Sequence, residues 1–149
     1  METKQTGSIM IYGMLGSIML MLFIILTNRN EELPVFALGI VIPLLALVLL
    51  LFYRLSVNVT IEKVVINFGI GLIRRSFEIT DIESCTPVIN KWWYGWGIHF
   101  TGNTTIYNVS GMKAIELTFK GRRRKVRIGT DQPEVLSLYI NDMLHRRQM

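Results

Sequence analysis

Leu55-Ser56-Val57-Asn58-Val59-Thr60-Ile61 sets four apolar side chains in strict alternation with three polar ones. Successive side chains of a strand point to opposite faces, so this stretch predicts a half-buried strand. Downstream the same signal repeats. Glu62-Lys63 is a tight turn, and strands are predicted over 64–68, 73–78, 82–88, 98–101, 104–109, 114–119 and 125–128. Gly69-Ile70-Gly71, Thr80-Asp81, Ser110-Gly111 and Gly121 punctuate them. The last segment changes period. Asp131-Gln132-Pro133-Glu134 offers a capping residue, an early proline and an acidic first turn. Leu136, Ile140, Met143 and Leu144 then share one helical face, and His145, Arg146 and Arg147 end the helix where its dipole favours cations. The order predicts a mostly β domain over 55–149. It is a curved antiparallel sandwich or partial barrel whose open end is closed by a C-terminal helix over about 132–147.

Upstream of Leu55 the composition is different. Residues 1–53 carry two basic and three acidic side chains, whereas 54–149 carry fourteen basic and eight acidic. Half of the chain is hydrophobic, and its mean hydropathy is +0.38. Residues 8–27 and 34–53 are two runs of twenty without a charge. At about 1.5 Å per residue each is about 30 Å long, the thickness of a hydrocarbon core. The sequence therefore predicts an N-terminal transmembrane helical hairpin over 1–54, with an antiparallel turn at 28–33. A cleaved leader fits poorly: Lys4 is offset by Glu2, and no small-residue cleavage site follows the first run. Lys4, Arg54 and Lys63 against Arg29 put both termini on the cytoplasmic side. Gly13, Gly16 and Ser17 are candidate helix-packing residues, within the hairpin or between copies. Pro43 predicts a local bend. Neither run holds an ionisable side chain, so anchoring is the default over transport.

Four separated words carry a family resemblance: Phe68-Gly69-Ile70-Gly71-Leu72-Ile73-Arg74-Arg75, Trp93-Tyr94-Gly95-Trp96-Gly97-Ile98, Tyr107-Asn108-Val109-Ser110-Gly111, and Arg127-Ile128-Gly129-Thr130-Asp131 with Pro133-Glu134. In that order they resemble small bacterial membrane proteins with a pleckstrin-homology-like domain, over about residues 55–145. The resemblance implies a bent β-sandwich closed by a helix and an envelope location. It implies no ligand, reaction or functional residue. Phosphoinositide-binding relatives place a basic pocket in a long first loop, whereas the Glu62-Lys63 turn is short and neutral.

Two surfaces are candidates for contact with a partner. Arg122, Arg123, Arg124, Lys125 and Arg127 form the densest basic cluster. They suit anionic lipid headgroups or an acidic protein, or are simply a solvated hairpin that keeps a strand edge from aggregating. Nucleic acid is disfavoured. Trp92, Trp93, Tyr94 and Trp96 suit a membrane interface, a partner groove, or packing over the sandwich end, and packing is the reading adopted.

Catalysis has little support. Cys85 is the only cysteine and fits a small buried apolar side chain. His99 and His145 lack metal-pair spacing, and Gly69-Ile70-Gly71 opens no helix, so it is no phosphate loop. No cofactor or metal is expected. The sequence thus predicts a binding or scaffolding module at the inner face of the cytoplasmic membrane. It would contact the bilayer and a protein partner, itself or lipid headgroups. An oligomeric pore built from the spans is the alternative.

Overall fold

Leu55, Val57 and Val59 are buried on one side of a strand, as their alternation requires, and that strand lies second in a four-stranded sheet. The computed structural model describes residues 1–27 and 35–147. The elements are β1 (Glu2–Thr6), α1 (Ser8–Thr27), α2 (Val35–Phe52), β2 (Arg54–Val59), β3 (Lys63–Phe68), β4 (Ile73–Glu78), β5 (Ile82–Ile89), β6 (Gly97–Thr101), β7 (Thr104–Asn108), β8 (Lys113–Phe119), β9 (Arg122–Gly129) and α3 (Pro133–Arg146). One sheet runs β1-β2-β3-β4 and the other β5-β8-β9-β7-β6. Their facing apolar residues and α3 enclose one core, which includes Ile66, Phe68, Ile115, Leu117, Ile128 and Ile140.

Two expectations about the sheets change. The pairing is not wholly antiparallel: β7 runs parallel to β9, with Thr104 opposite Lys125 and Tyr107 opposite Ile128. The polar start of the chain is also part of the fold. β1 pairs with β2 from Glu2 opposite Asn58 to Thr6 opposite Arg54. The N-terminal ammonium donates to the Val59 carbonyl at 2.8 Å.

The predicted membrane hairpin is corrected. Among the described residues no helix is long and apolar enough to cross a membrane. The 28–33 turn that was to make the helices antiparallel lies outside the described residues. Counting uncharged residues overstated the C-terminal end of the second run, because the described helix α2 ends at Phe52. Tyr53 leaves the helix, and Arg54 already belongs to β2. The multi-pass inner-membrane location and the cytoplasmic placement of both termini rested on spanning helices and fall with them.

What α1 and α2 form is an insertion in the β1–β2 hairpin, tied to the sheet at its base. The Gly7 N–H donates to the Tyr53 carbonyl at 2.8 Å, Gly69 N–H to Arg54 at 2.7 Å and Ile70 N–H to Leu50 at 3.2 Å. The Phe52 ring meets Phe68 edge-on at 5.5 Å. Beyond this base both helices leave large side chains exposed, among them Tyr12, Met19, Leu20, Phe23, Leu44 and Leu47.

At the other end of the chain, α3 buries Pro133, Leu136, Ser137, Ile140 and Leu144. Asn141 clamps it to β5, accepting from the Cys85 N–H at 3.1 Å and donating to the Cys85 carbonyl at 2.8 Å. The N-cap is Gln132, without a side-chain capping bond. Asp131, the expected cap, instead accepts from Nε2 of the buried Gln5 at 3.1 Å. That bond fixes β1 to the entrance of α3.

Candidate functional site

The basic hairpin divides by the period of its strand. Successive residues of β9 face opposite ways, so Arg123, Lys125 and Arg127 share the outer face, and Arg122 and Arg124 fall on the face of the buried Val126 and Ile128. The two faces have different chemistry.

On the outer face, β8 supplies a counter-charge. Glu116 is buried opposite Arg127 in the register. Its carboxylate accepts from Lys125 Nζ and from Arg127 Nε, both at 2.8 Å. Arg127 also donates to Asn90 Oδ1 at 3.4 Å. Burial works against ionisation of Glu116, but the hydrogen bonds and charges of Lys125 and Arg127 outweigh it and hold the carboxyl below its ordinary range. A depressed carboxyl stabilises the native state above the unfolded pKa, and this is lost as pH falls through the folded value. Glu116→Gln is expected to cost about 1–2 kcal/mol at neutral pH. The gap to wild type should narrow as pH drops below about 4.5, which urea denaturation across that range measures. Two of the three outer-face cations are thus paired to one carboxylate, which offsets a single positive charge.

The inner face opens on a cavity of about 450 Å³ between the two sheets. Its lining includes Arg75 from β4 and Arg122 and Arg124 from β9, over Phe77, Tyr107 and Phe119. Arg124 is held in place: Nε and Nη2 donate to Thr105 Oγ1 at 3.2 and 3.0 Å, and its guanidinium lies 5.7 Å from the Phe100 ring centroid. Arg122 reaches Asp81 at 3.5 Å. The Phe77 ring packs 6.3 Å from Tyr107 and 5.8 Å from Phe119. Sequence reasoning named Arg122 and Arg124 but missed Arg75, Phe100 and Thr105. The alternation of β9 was the available signal, because it puts two arginines on the core side of their own strand.

The aromatic loop is elsewhere, and it does not pack as expected. Trp92 and Trp93 are 76% and 60% exposed. They meet edge-on at 5.8 Å in a turn of 3-10 helix over Trp92–Tyr94, with Lys91 Nζ 5.0 Å from the Trp93 ring centroid. Tyr94 lies 6.3 Å from Trp93, and Trp96 is also exposed. None of these four side chains lines the arginine cleft. The helix-packing residues also stand apart. Among the described residues, a Cβ added at Gly13 or Gly16 would meet nothing within 4 Å, and Ser17 Oγ donates to its own helix at Gly13 O, 2.9 Å away.

Among the described residues no group of three His, Cys, Asp or Glu side chains is placed to hold a metal. His99 Nε2 lies 2.7 Å from the Trp96 carbonyl. Burial pushes the Cys85 thiol up to about 12, so little thiolate is present at neutral pH. Native protein should accordingly resist a water-soluble thiol reagent, and one equivalent should react after denaturation. Rapid labelling of the folded chain, followed by mass spectrometry, would contradict this.

Comparison with family models, curated proteins and solved structures gave no match.

Proposed function

We propose that this protein is a binding and scaffolding module, with the β body as its recognition surface and the helical pair as the surface by which copies assemble. The exposed apolar side chains of α1 and α2 carry this reading. Monomers seldom leave a contiguous apolar patch larger than about 300–600 Å² bare, and larger patches mark interaction sites. The open space beside Gly13 and Gly16 favours a second α1 as the occupant, since small residues allow close approach of helix backbones. The hydrogen bonds at the base of the helices hold that surface in a fixed relation to the sheets.

The test is oxidative crosslinking of Ser17→Cys in a Cys85→Ser background, with Arg123→Cys as the control on the outer face of β9. A covalent dimer formed through position 17, and much less through 123, supports assembly along α1. A sedimenting monomer with no preferential crosslink at 17 defeats it.

A further inference from the structure

We infer that the cleft between the sheets binds an oxyanion, phosphate or carboxylate, attached to an apolar chain or ring. This names the ligand of the recognition surface proposed above, and it stands on different residues from the assembly face.

Three guanidinium groups from two sheets meet at one cavity, and their charge is not balanced there. Among the described residues neither Arg75 nor Arg124 has a carboxylate partner, and Arg122 has only the 3.5 Å contact with a half-exposed Asp81. Glu116 spends its oxygens on the opposite face of β9. Arg124 is also ordered in advance. Thr105 Oγ1 takes the Nε and Nη2 donors, and the Phe100 ring supports the plane. A guanidinium has five N–H donors, so both Nη1 hydrogens and the second Nη2 hydrogen are left for a ligand. Fixed arginine forks match the two-oxygen geometry of phosphates and carboxylates.

The floor then decides the rest of the ligand. Phe77, Phe119 and Val126 are apolar, Tyr107 adds an aromatic ring, and all four are less exposed than the three arginines. A free inorganic anion would meet the rim and leave the floor wet. A flat acidic surface would not reach it. A volume of about 450 Å³ falls in the usual range for a site that encloses a small molecule. Inward charges can also protect an edge strand from pairing between copies, but only Arg75 stands on an edge strand, β4, while β9 is interior to its sheet. That role requires neither a shared cavity nor the Thr105 clamp.

The experiment is calorimetric titration of the full chain with octyl phosphate, phenyl phosphate, inorganic phosphate and octanol. Octyl phosphate separates a lipid-like chain from the ring of phenyl phosphate, and the other two probes supply each half alone. Saturable one-to-one binding of at least one organic phosphate is expected, with both half-probes at least about tenfold weaker. Arg75→Gln and Arg124→Gln should each weaken it by about tenfold, with the circular dichroism of the folded protein retained. Val126→Phe, which fills the floor, should weaken the organic phosphates and spare inorganic phosphate.

Absence of saturable binding by both organic phosphates overturns the inference. So does equal affinity for inorganic phosphate, or wild-type affinity in both arginine variants. The crosslinking result at Ser17 is independent of all three.

Discussion

Phe68→Ala is expected to destabilise the protein by about 4 kcal/mol, the range for an aromatic ring removed from a packed core. Phe68 is 1% exposed. Its ring stands 5.5 Å from Phe52 at the end of α2 and 6.1 Å from Tyr107 on the floor of the cleft. In the sheets it sits opposite Leu55 and Ile73. One truncation therefore opens a void against the helical pair, the first sheet and the cleft together. Phe68→Leu keeps most of the volume and should cost about 1 kcal/mol. Chemical denaturation of both variants checks the pair of values. An alanine variant within about 1 kcal/mol of wild type would mean that this ring does not join the three parts.

Gly69→Ala comes next, at about 3 kcal/mol. Gly69 turns the chain out of β3 at φ +49°, in the left-handed region that a side chain disfavours. A Cβ there would overlap the backbone carbonyls of Leu50 and Leu51. Neither carbonyl is a flexible side-chain end, so the turn or the end of α2 must move. The Gly69-to-Arg54 and Ile70-to-Leu50 hydrogen bonds lie at the same place. Gly71 is the internal control: its φ of +93° carries strain but open space surrounds it, so Gly71→Ala should cost about 1 kcal/mol. Thermal unfolding gives the ranking, and hydrogen exchange at the Ile70 amide reports whether the junction opens. Equal losses at 69 and 71 would remove the steric argument.

Together these positions explain why the helical pair has a fixed direction. Its base is held by main-chain hydrogen bonds, an edge-on aromatic contact and a glycine that lets backbone meet backbone. A surface held this way can present the β body of a neighbour, and its cleft, at a constant offset. That is the physical content of the scaffolding proposal.

The strands that follow α2 were legible because each is a short apolar-rich or alternating run bounded by turn residues. Leu55, Val57 and Val59 are buried while Asn58 is exposed, and the third strand was bounded at 73 and 78, where β4 begins and ends. β1 was not legible. Glu2-Thr3-Lys4-Gln5-Thr6 has no apolar residue, and its one buried side chain is Gln5, satisfied in part by Asp131 far along the chain. No local pattern could announce that partner. Its residues were instead grouped with the adjacent uncharged run, inside the hairpin expected over 1–54.

The candidate surfaces divide in the same way. The facing of Arg122 and Arg124 follows from period two along β9. Their role does not, because Arg75 arrives from the other sheet and Thr105 from a parallel neighbour. The pairing of Lys125 and Arg127 with one carboxylate depended on the β8–β9 register, which sets Glu116 against Arg127. For the tryptophans, composition argued for packing because bare indole is costly in water. Two glycines at positive φ, Gly95 and Gly97, instead hold the turn so that Trp92 and Trp93 face outward.

By itself the sequence determined which stretches alternate, which are uncharged helices, and which face of its own strand each side chain takes. These follow from backbone periods that act over a few residues. Tertiary structure alone decided the place of β1, the parallel pairing of β7 with β9, the described extent of the helices, and the meeting of three arginines over an aromatic floor. Each depends on register and packing between segments far apart in the chain, where the free energy comes from surfaces that no single segment contains.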